Sequence, residues 1–172
     1  MKKICFHGAE SAGKSTLAAK LSAECGWPWV PEYGRAYCEE HGTDLVMADL
    51  LDIAEGQNAA IQAAVAEKPD VLLIDTDPLM TAAWSEMLFG TTSPSLLAYE
   101  KADLYLLFAA DTPWEADGTR FFGGEAERAR FAILSETMLR LAGVRYVTIS
   151  GDWAERESQA RAAISQLLEG GA

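Results

Sequence analysis

Cysteine is scarce and follows no pattern. Cys5, Cys25 and Cys38 are odd in number and share no C-x-x-C spacing, so neither a disulfide framework nor a zinc site is expected. Reduced thiols suit a cytoplasmic protein. The two histidines, His7 and His41, stand at no metal-ligand spacing. Positive charge is also short: 14 lysines and arginines face 26 aspartates and glutamates, a net charge of −12. Such a surface repels the phosphate backbone of nucleic acid and anionic membranes, so neither is expected as a partner. The longest apolar run, Leu104 to Ala110, is too short to span a bilayer. Met1-Lys2-Lys3 leads straight into a strand pattern, without the apolar stretch of a signal peptide. Asn58 is the only asparagine, so the guanine-reading motif N-K-x-D is impossible, and D-x-x-G is absent too.

What is present is a phosphate-binding loop. Gly8-Ala-Glu-Ser-Ala-Gly13-Lys14-Ser15 fits G-x-x-x-x-G-K-S, between an apolar run and a helical pattern. Gly8 and Gly13 allow backbone angles and close approaches that a side chain would block. The amide N–H groups of Glu10, Ser11, Ala12, Gly13 and their neighbours can then face phosphate oxygens, helped by the positive end of the following helix. Lys14 reaches the outer phosphates, the Ser15 hydroxyl reaches magnesium, and Thr16 completes the set.

The chain of 172 residues, 49% of them hydrophobic, is long enough for one domain with a core of its own over residues 1–172. Apolar runs at Lys3–His7, Trp27–Val30, Val71–Asp75, Asp103–Ala109 and Val144–Ile149 read as strands. Helical patterns lie between them: Ser15–Cys25, Glu32–His41, a longer helix capped by Thr43 or Asp44 and ended by Pro69, one capped by Asp77 with Pro78 at its first position, one running to Ala142, and Asp152–Leu168. This alternation predicts an α/β fold, a parallel five-stranded sheet covered by helices on both faces, with ligands at the carboxyl ends of the strands. The Gly- and charge-rich stretch around 112–130, carrying Arg120, Arg128 and Arg130, reads as a lid.

The polar clusters all sit at such strand ends. Glu32 and Arg35 follow the second strand. Glu32 suits the proton of an attacking hydroxyl, and Arg35 suits a phosphate or the carboxylate itself; the alternative is a helix N-terminus with a favourable first-turn Glu. Asp75 ends the third strand, where an acid holds magnesium or its waters. Asp77 is equally well a helix cap or a substrate ligand, and either acid could replace Glu32 as base. Arg120 is the best placed lid residue to screen charge on a moving phosphoryl group. Asp152 lies where a nucleotide base is often bordered, though capping explains it as well. Tyr33 and Trp84, beside the acids, suit stacking on a heteroaromatic ring. Gln57 interrupts an apolar helix face, as a hydrogen-bonding group in a cleft or a satisfied buried amide would.

With these residues in view, the chain resembles the ribosylnicotinamide kinase domain of the NadR-type proteins over almost its whole length. The matching blocks are the phosphate loop, Pro31-Glu-Tyr-Gly-Arg, Ala54-Glu-Gly-Gln, Asp75-Thr-Asp-Pro-Leu, Asp111-Thr-Pro-Trp and Asp117-Gly-Thr-Arg. The resemblance implies a P-loop kinase fold and ATP- and Mg2+-dependent phosphorylation of nicotinamide riboside. Val30-Pro31-Glu32 is also similar to the segment of deoxyribonucleoside kinases whose Glu serves as base. The chain begins at the first kinase strand, so no adenylyltransferase or DNA-binding role is expected.

The resulting expectation is a small-molecule nucleoside kinase. Lys14 and the loop hold ATP, Ser15 and Asp75 hold magnesium, Glu32 or Asp75 activates the 5′-hydroxyl, and Arg120 screens the transferring group. Tyr33, Arg35, Gln57, Asp77 and Trp84 line the acceptor. The alternatives are an ATPase or nucleotide-operated switch with a protein partner, and a phosphate-binding module without turnover.

Overall fold

The computed structural model describes residues 1–113, 121 and 123–170. Five strands, β1 (Lys2–Gly8), β2 (Trp29–Val30), β3 (Val71–Asp75), β4 (Leu104–Phe108) and β5 (Tyr146–Ile149), form one parallel sheet in the order β2-β3-β1-β4-β5. The helices are α1 (Lys14–Cys25), α2 (Tyr33–His41), α3 (Met47–Ala66), α4 (Pro78–Phe89), α5 (Pro94–Ala98), α6 (Glu125–Leu141) and α7 (Trp153–Glu169).

Alternation along the strands divides the core. Ile4, Phe6, Leu73, Leu104, Leu106 and Phe108 face Leu17 and Leu21 of α1 and Ala160, Ile164 and Leu167 of α7. The residues between them, Cys5, Leu72, Ile74, Tyr105 and Leu107, face Ile61 of α3, Leu79 of α4 and Leu139 of α6. Successive side chains of a strand point to opposite faces, so strands apolar at every position need a helical layer on each side. The sandwich is the expected one. No helix among the described residues is long and apolar enough to cross a membrane.

Several boundaries differ from the sequence expectation. The long helix starts at Met47, and neither Thr43 nor Asp44 caps it. Its free Val46 N–H is instead met from within, by Asp49 Oδ2 at 2.7 Å, while Tyr37 donates to Asp49 Oδ1 at 2.7 Å. The short helix α5 went unforeseen, although Ser93-Pro94 is a helix-start signature and Leu96 buries itself completely. Of the expected lid, residues 114–120 and 122 lie outside the described residues. Its far end is helical, since Glu125–Arg130 already belong to α6.

His7 shows how tightly the sheet is covered. Its Nε2 donates to the Ser135 carbonyl of α6 at 3.0 Å, its ring meets Tyr105 edge-on at 5.9 Å, and Nδ1 is buried without a hydrogen-bond partner. Burial is the main force lowering its pKa from 6.5 to about 3; Lys14 adds to it and the Ser135 contact opposes it. The unfolded chain therefore takes up a proton below 6.5 that the folded chain refuses until about 3. Stability is intact above that window and falls as pH drops through it. Between pH ~7 and ~5 the loss from this one group is about 2 kcal/mol. His7→Leu should flatten the acid limb by that amount, read as the difference in urea midpoints at the two pH values; an unchanged slope would refute it.

Candidate active site

Gly8 ends β1 with φ 123°, and a Cβ there would sit 2.4 Å from the Phe108 carbonyl oxygen. The loop turns through Ser11 at φ 56° and Gly13 at φ 85°, and α1 begins at Lys14. Lys14 is buried, its ammonium donating to the carbonyls of Gly8 (3.0 Å) and Ala9 (2.8 Å). Glu10 accepts from the backbone N–H of Phe121 at 3.1 Å. Thr112 donates to the Ser11 carbonyl at 2.7 Å, and Arg128 donates to the Thr112 carbonyl at 2.8 Å. The start of the expected lid is thus tied to the phosphate loop.

A cavity of about 290 Å³ joins this loop to the acceptor candidates. Gly8 and Glu10–Thr16 line it together with Glu32, Arg35, Cys38 and Gln57, while Met80, Trp84, Phe121 and Phe131 supply apolar surface. Trp84 packs on Phe121 and Phe131, each with ring centres 4.9 Å away.

The acids here are electrostatically frustrated. Burial pushes the half-buried Glu32 upward, Asp75 and Glu10 push further, and Lys14 and Arg35 pull back, leaving its pKa at about 7. Burial also raises Asp75, against Lys14, a hydrogen bond from Ser15 and Arg35. Asp75 Oδ1 is buried and has no hydrogen-bond partner among the described residues. An orphaned carboxylate oxygen beside a serine hydroxyl suits a magnesium ion, which takes one or two protein ligands and completes its shell with phosphates and water. No cluster of three or more His, Cys, Asp or Glu that could hold a metal occurs among the described residues. Thr76, next in the chain, lines the cavity at φ 67°, an uncommon conformation for a β-branched residue.

Gln57 does more than interrupt an apolar face. Its Oε1 accepts from the Tyr33 N–H at 2.7 Å and its Nε2 donates to the Pro31 carbonyl at 3.4 Å. It thereby grips the chain on both sides of Glu32. Three other candidates have placements of their own. Tyr33 does not line the cavity; its ring lies against Gly56 of α3, where a Cβ would meet it at 2.3 Å. Asp77 caps α4, accepting from Leu79 N–H at 3.0 Å through Oδ1 and from the Tyr105 hydroxyl at 2.5 Å through Oδ2. Asp152 caps α7 by accepting from Glu155 N–H at 2.9 Å, and the hollow behind the phosphate loop is lined by Trp153 in its place. Arg120 lies outside the described residues. Thr76, Phe121, Phe131 and Trp153 were not singled out from sequence. Thr76, inside the Asp75-Thr-Asp-Pro-Leu block, and Trp153, following the fifth strand, stood where a signal existed.

The sequence of residues 3–156 matches the family described as AAA domain. The chain belongs to that family. This AAA domain is 33% identical over 156 residues to the trifunctional NAD biosynthesis/regulator protein NadR of Escherichia coli (strain K12). The alignment covers 87% of this chain and 38% of that protein, so the chain spans well under half of the relative. The crystal structure of NadR protein in complex with NR superposes with a TM-score of 0.83 at 24% identity, covering 96% of this chain and 49% of that one. Deoxyadenosine kinase from M. mycoides superposes with a TM-score of 0.73 at 14% identity, covering 95% of this chain and 99% of that one. At these identities the likeness is one of fold: a five-stranded parallel sheet of P-loop kinase type.

The structural role of Asp77 has a direct test. Asp77→Ala removes a cap and strands the buried Tyr105 hydroxyl, costing about 2–3 kcal/mol of unfolding free energy. Ligand binding in the cavity should change by no more than about twofold, since both oxygens of Asp77 face Leu79 and Tyr105. A large change in binding at unaltered stability would restore Asp77 as a substrate ligand.

Proposed function

We propose that the protein is a nucleoside kinase that transfers the γ-phosphoryl group of ATP to a 5′-hydroxyl, with nicotinamide riboside as the foremost acceptor. The observation that carries this reading is one cavity whose lining joins Lys14 and Ser15 of the phosphate loop to Glu32, a carboxylate with pKa near 7. A general base works best when its pKa lies near the working pH.

Each residue then has a defined task. Lys14 exchanges the Gly8 and Ala9 carbonyls for the β and γ phosphates. Glu32 accepts the hydroxyl proton as the acceptor oxygen bonds to the γ-phosphorus. The bond from that phosphorus to the bridging oxygen breaks, and ADP leaves. Gln57 keeps Glu32 aimed by holding Pro31 and Tyr33. Ser15 and Asp75 would hold magnesium, which when bound offsets negative charge on the phosphates. Arg35 tempers the field on both acids. Arg120 is assigned the screening of charge on the transferring group. Trp84, Phe121 and Phe131, their rings inclined to one another, offer an aromatic, apolar wall to the acceptor base, which suits a pyridine ring. The likeness to NadR supports this choice of acceptor, and the absence of a guanine-reading motif supports ATP over GTP as donor. The three free cysteines suit a reducing cytoplasm.

The test is a panel of nucleosides, including nicotinamide riboside, incubated with Mg-ATP and followed for phosphorylated product. ADP release at an equal rate without acceptor would sink the kinase reading in favour of an ATPase. Lys14→Ala should abolish turnover. Glu32→Gln should lower kcat by about 10²–10⁴ while sparing ATP binding; a fully active variant would remove Glu32 as base.

A further inference from the structure

Arg156 is the largest fully buried side chain among the described residues, yet it lines neither the cavity nor the hollow behind the phosphate loop. A guanidinium held out of water is costly unless acceptors surround it. Here Nε donates to the Gly151 carbonyl at 2.9 Å, Nη2 to Asp111 Oδ1 and to the Ala109 carbonyl at 3.5 Å, and Nη1 to the Ala12 carbonyl at 3.4 Å. These acceptors come from three separate segments: the stretch after β4, the stretch after β5 and the phosphate loop. Asp111 closes the circuit by accepting from Gly151 N–H at 2.9 Å. Burial works to raise the Asp111 carboxyl, but Gly151 N–H and the Arg156 charge outweigh it and hold it low.

The Ala12 contact bears on phosphate binding. In a trans peptide the carbonyl and the following N–H point in opposite directions. Drawing the Ala12 oxygen toward Arg156 therefore turns the Gly13 N–H the other way. Gly13 is also covered from outside, because a Cβ on it would sit 2.6 Å from the Trp153 ring. The first turn of α7 thus grips the loop twice, through Trp153 and through Arg156.

We propose that Arg156 is a positioning residue for the phosphate loop, holding it in its nucleotide-binding shape by tying the Ala12 carbonyl to the ends of β4 and β5. The inference rests on nucleotide binding by the loop and is independent of the acceptor.

Calorimetric titration of the whole chain with Mg·ADP, without acceptor, tests it. Arg156→Met should weaken ADP binding by about tenfold or more. Arg156→Lys, which keeps the charge but not the forked donor set, should recover part of the loss. Leu167→Ala serves as control: it lowers Tm by removing core contact from the same helix, and should leave ADP affinity unchanged. Asp111→Asn weakens the grip on Arg156 and should reduce ADP affinity by a smaller factor; it carries the decision if Arg156→Met does not fold. ADP affinity within about twofold of wild type in Asp111→Asn and in any folded Arg156→Met would overturn the proposal. So would Leu167→Ala weakening ADP as much as Arg156→Met. A wild-type protein that binds ADP but phosphorylates no nucleoside would refute the kinase reading and leave this one standing.

Discussion

At Gly8 the backbone of β1 passes so close to β4 that a Cβ would overlap the Phe108 carbonyl. The site depends on that approach. β1 is the middle strand, paired with β3 on one side and β4 on the other. The registers Phe6 with Asp75 and Gly8 with Phe108 bring three strand ends to one edge. The loop therefore leaves β1 with Asp75 on one flank and the Ala109–Pro113 segment on the other. Glu32 follows β2, one strand further out, and lines the same cavity as the loop.

Within that frame, charge is what differentiates the residues. Glu32 and Asp75 share a partly dry space with Lys14 and Arg35, and burial disfavours the ionised form of both acids. The two are not equivalent. Glu32 sits between backbone groups held by Gln57, an arrangement suited to aiming a proton acceptor. Asp75 keeps an oxygen without a hydrogen-bond partner among the described residues, beside Ser15, an arrangement suited to a cation.

Legibility of these features in the sequence follows their physical range. The phosphate loop could be read because its demands are local: glycines at tight places, a lysine and a serine at set positions. The layered fold could be read because fully apolar strands admit few other solutions. The caps were readable only as one of two alternatives, since an aspartate before a helix looks the same whether it serves a substrate or the helix. Only Tyr105, on another strand, separates those cases for Asp77. Tyr33 was ambiguous for a related reason: proximity to Glu32 in the chain does not decide on which side of α2 a ring falls. Arg156 looked like any surface arginine of a polar helix, because its acceptors come from segments far away in the chain. The start of α3 was missed because its N–H partner, Asp49, lies inside the helix rather than before it.

The buried cations also divide the encounter with a nucleotide into two regimes. Outside, the molecule carries a net charge of −12, and an approaching polyphosphate meets an opposing field, damped beyond roughly 8 Å at physiological ionic strength. Inside, Lys14 stands at the loop, where the lower dielectric strengthens its pull, while the charge of Arg156 behind the loop is matched by Asp111. Arrival is thus resisted by the exterior while retention is governed by the interior. The net charge that opposes an incoming polyphosphate and the buried lysine that would hold it lie in different dielectric surroundings.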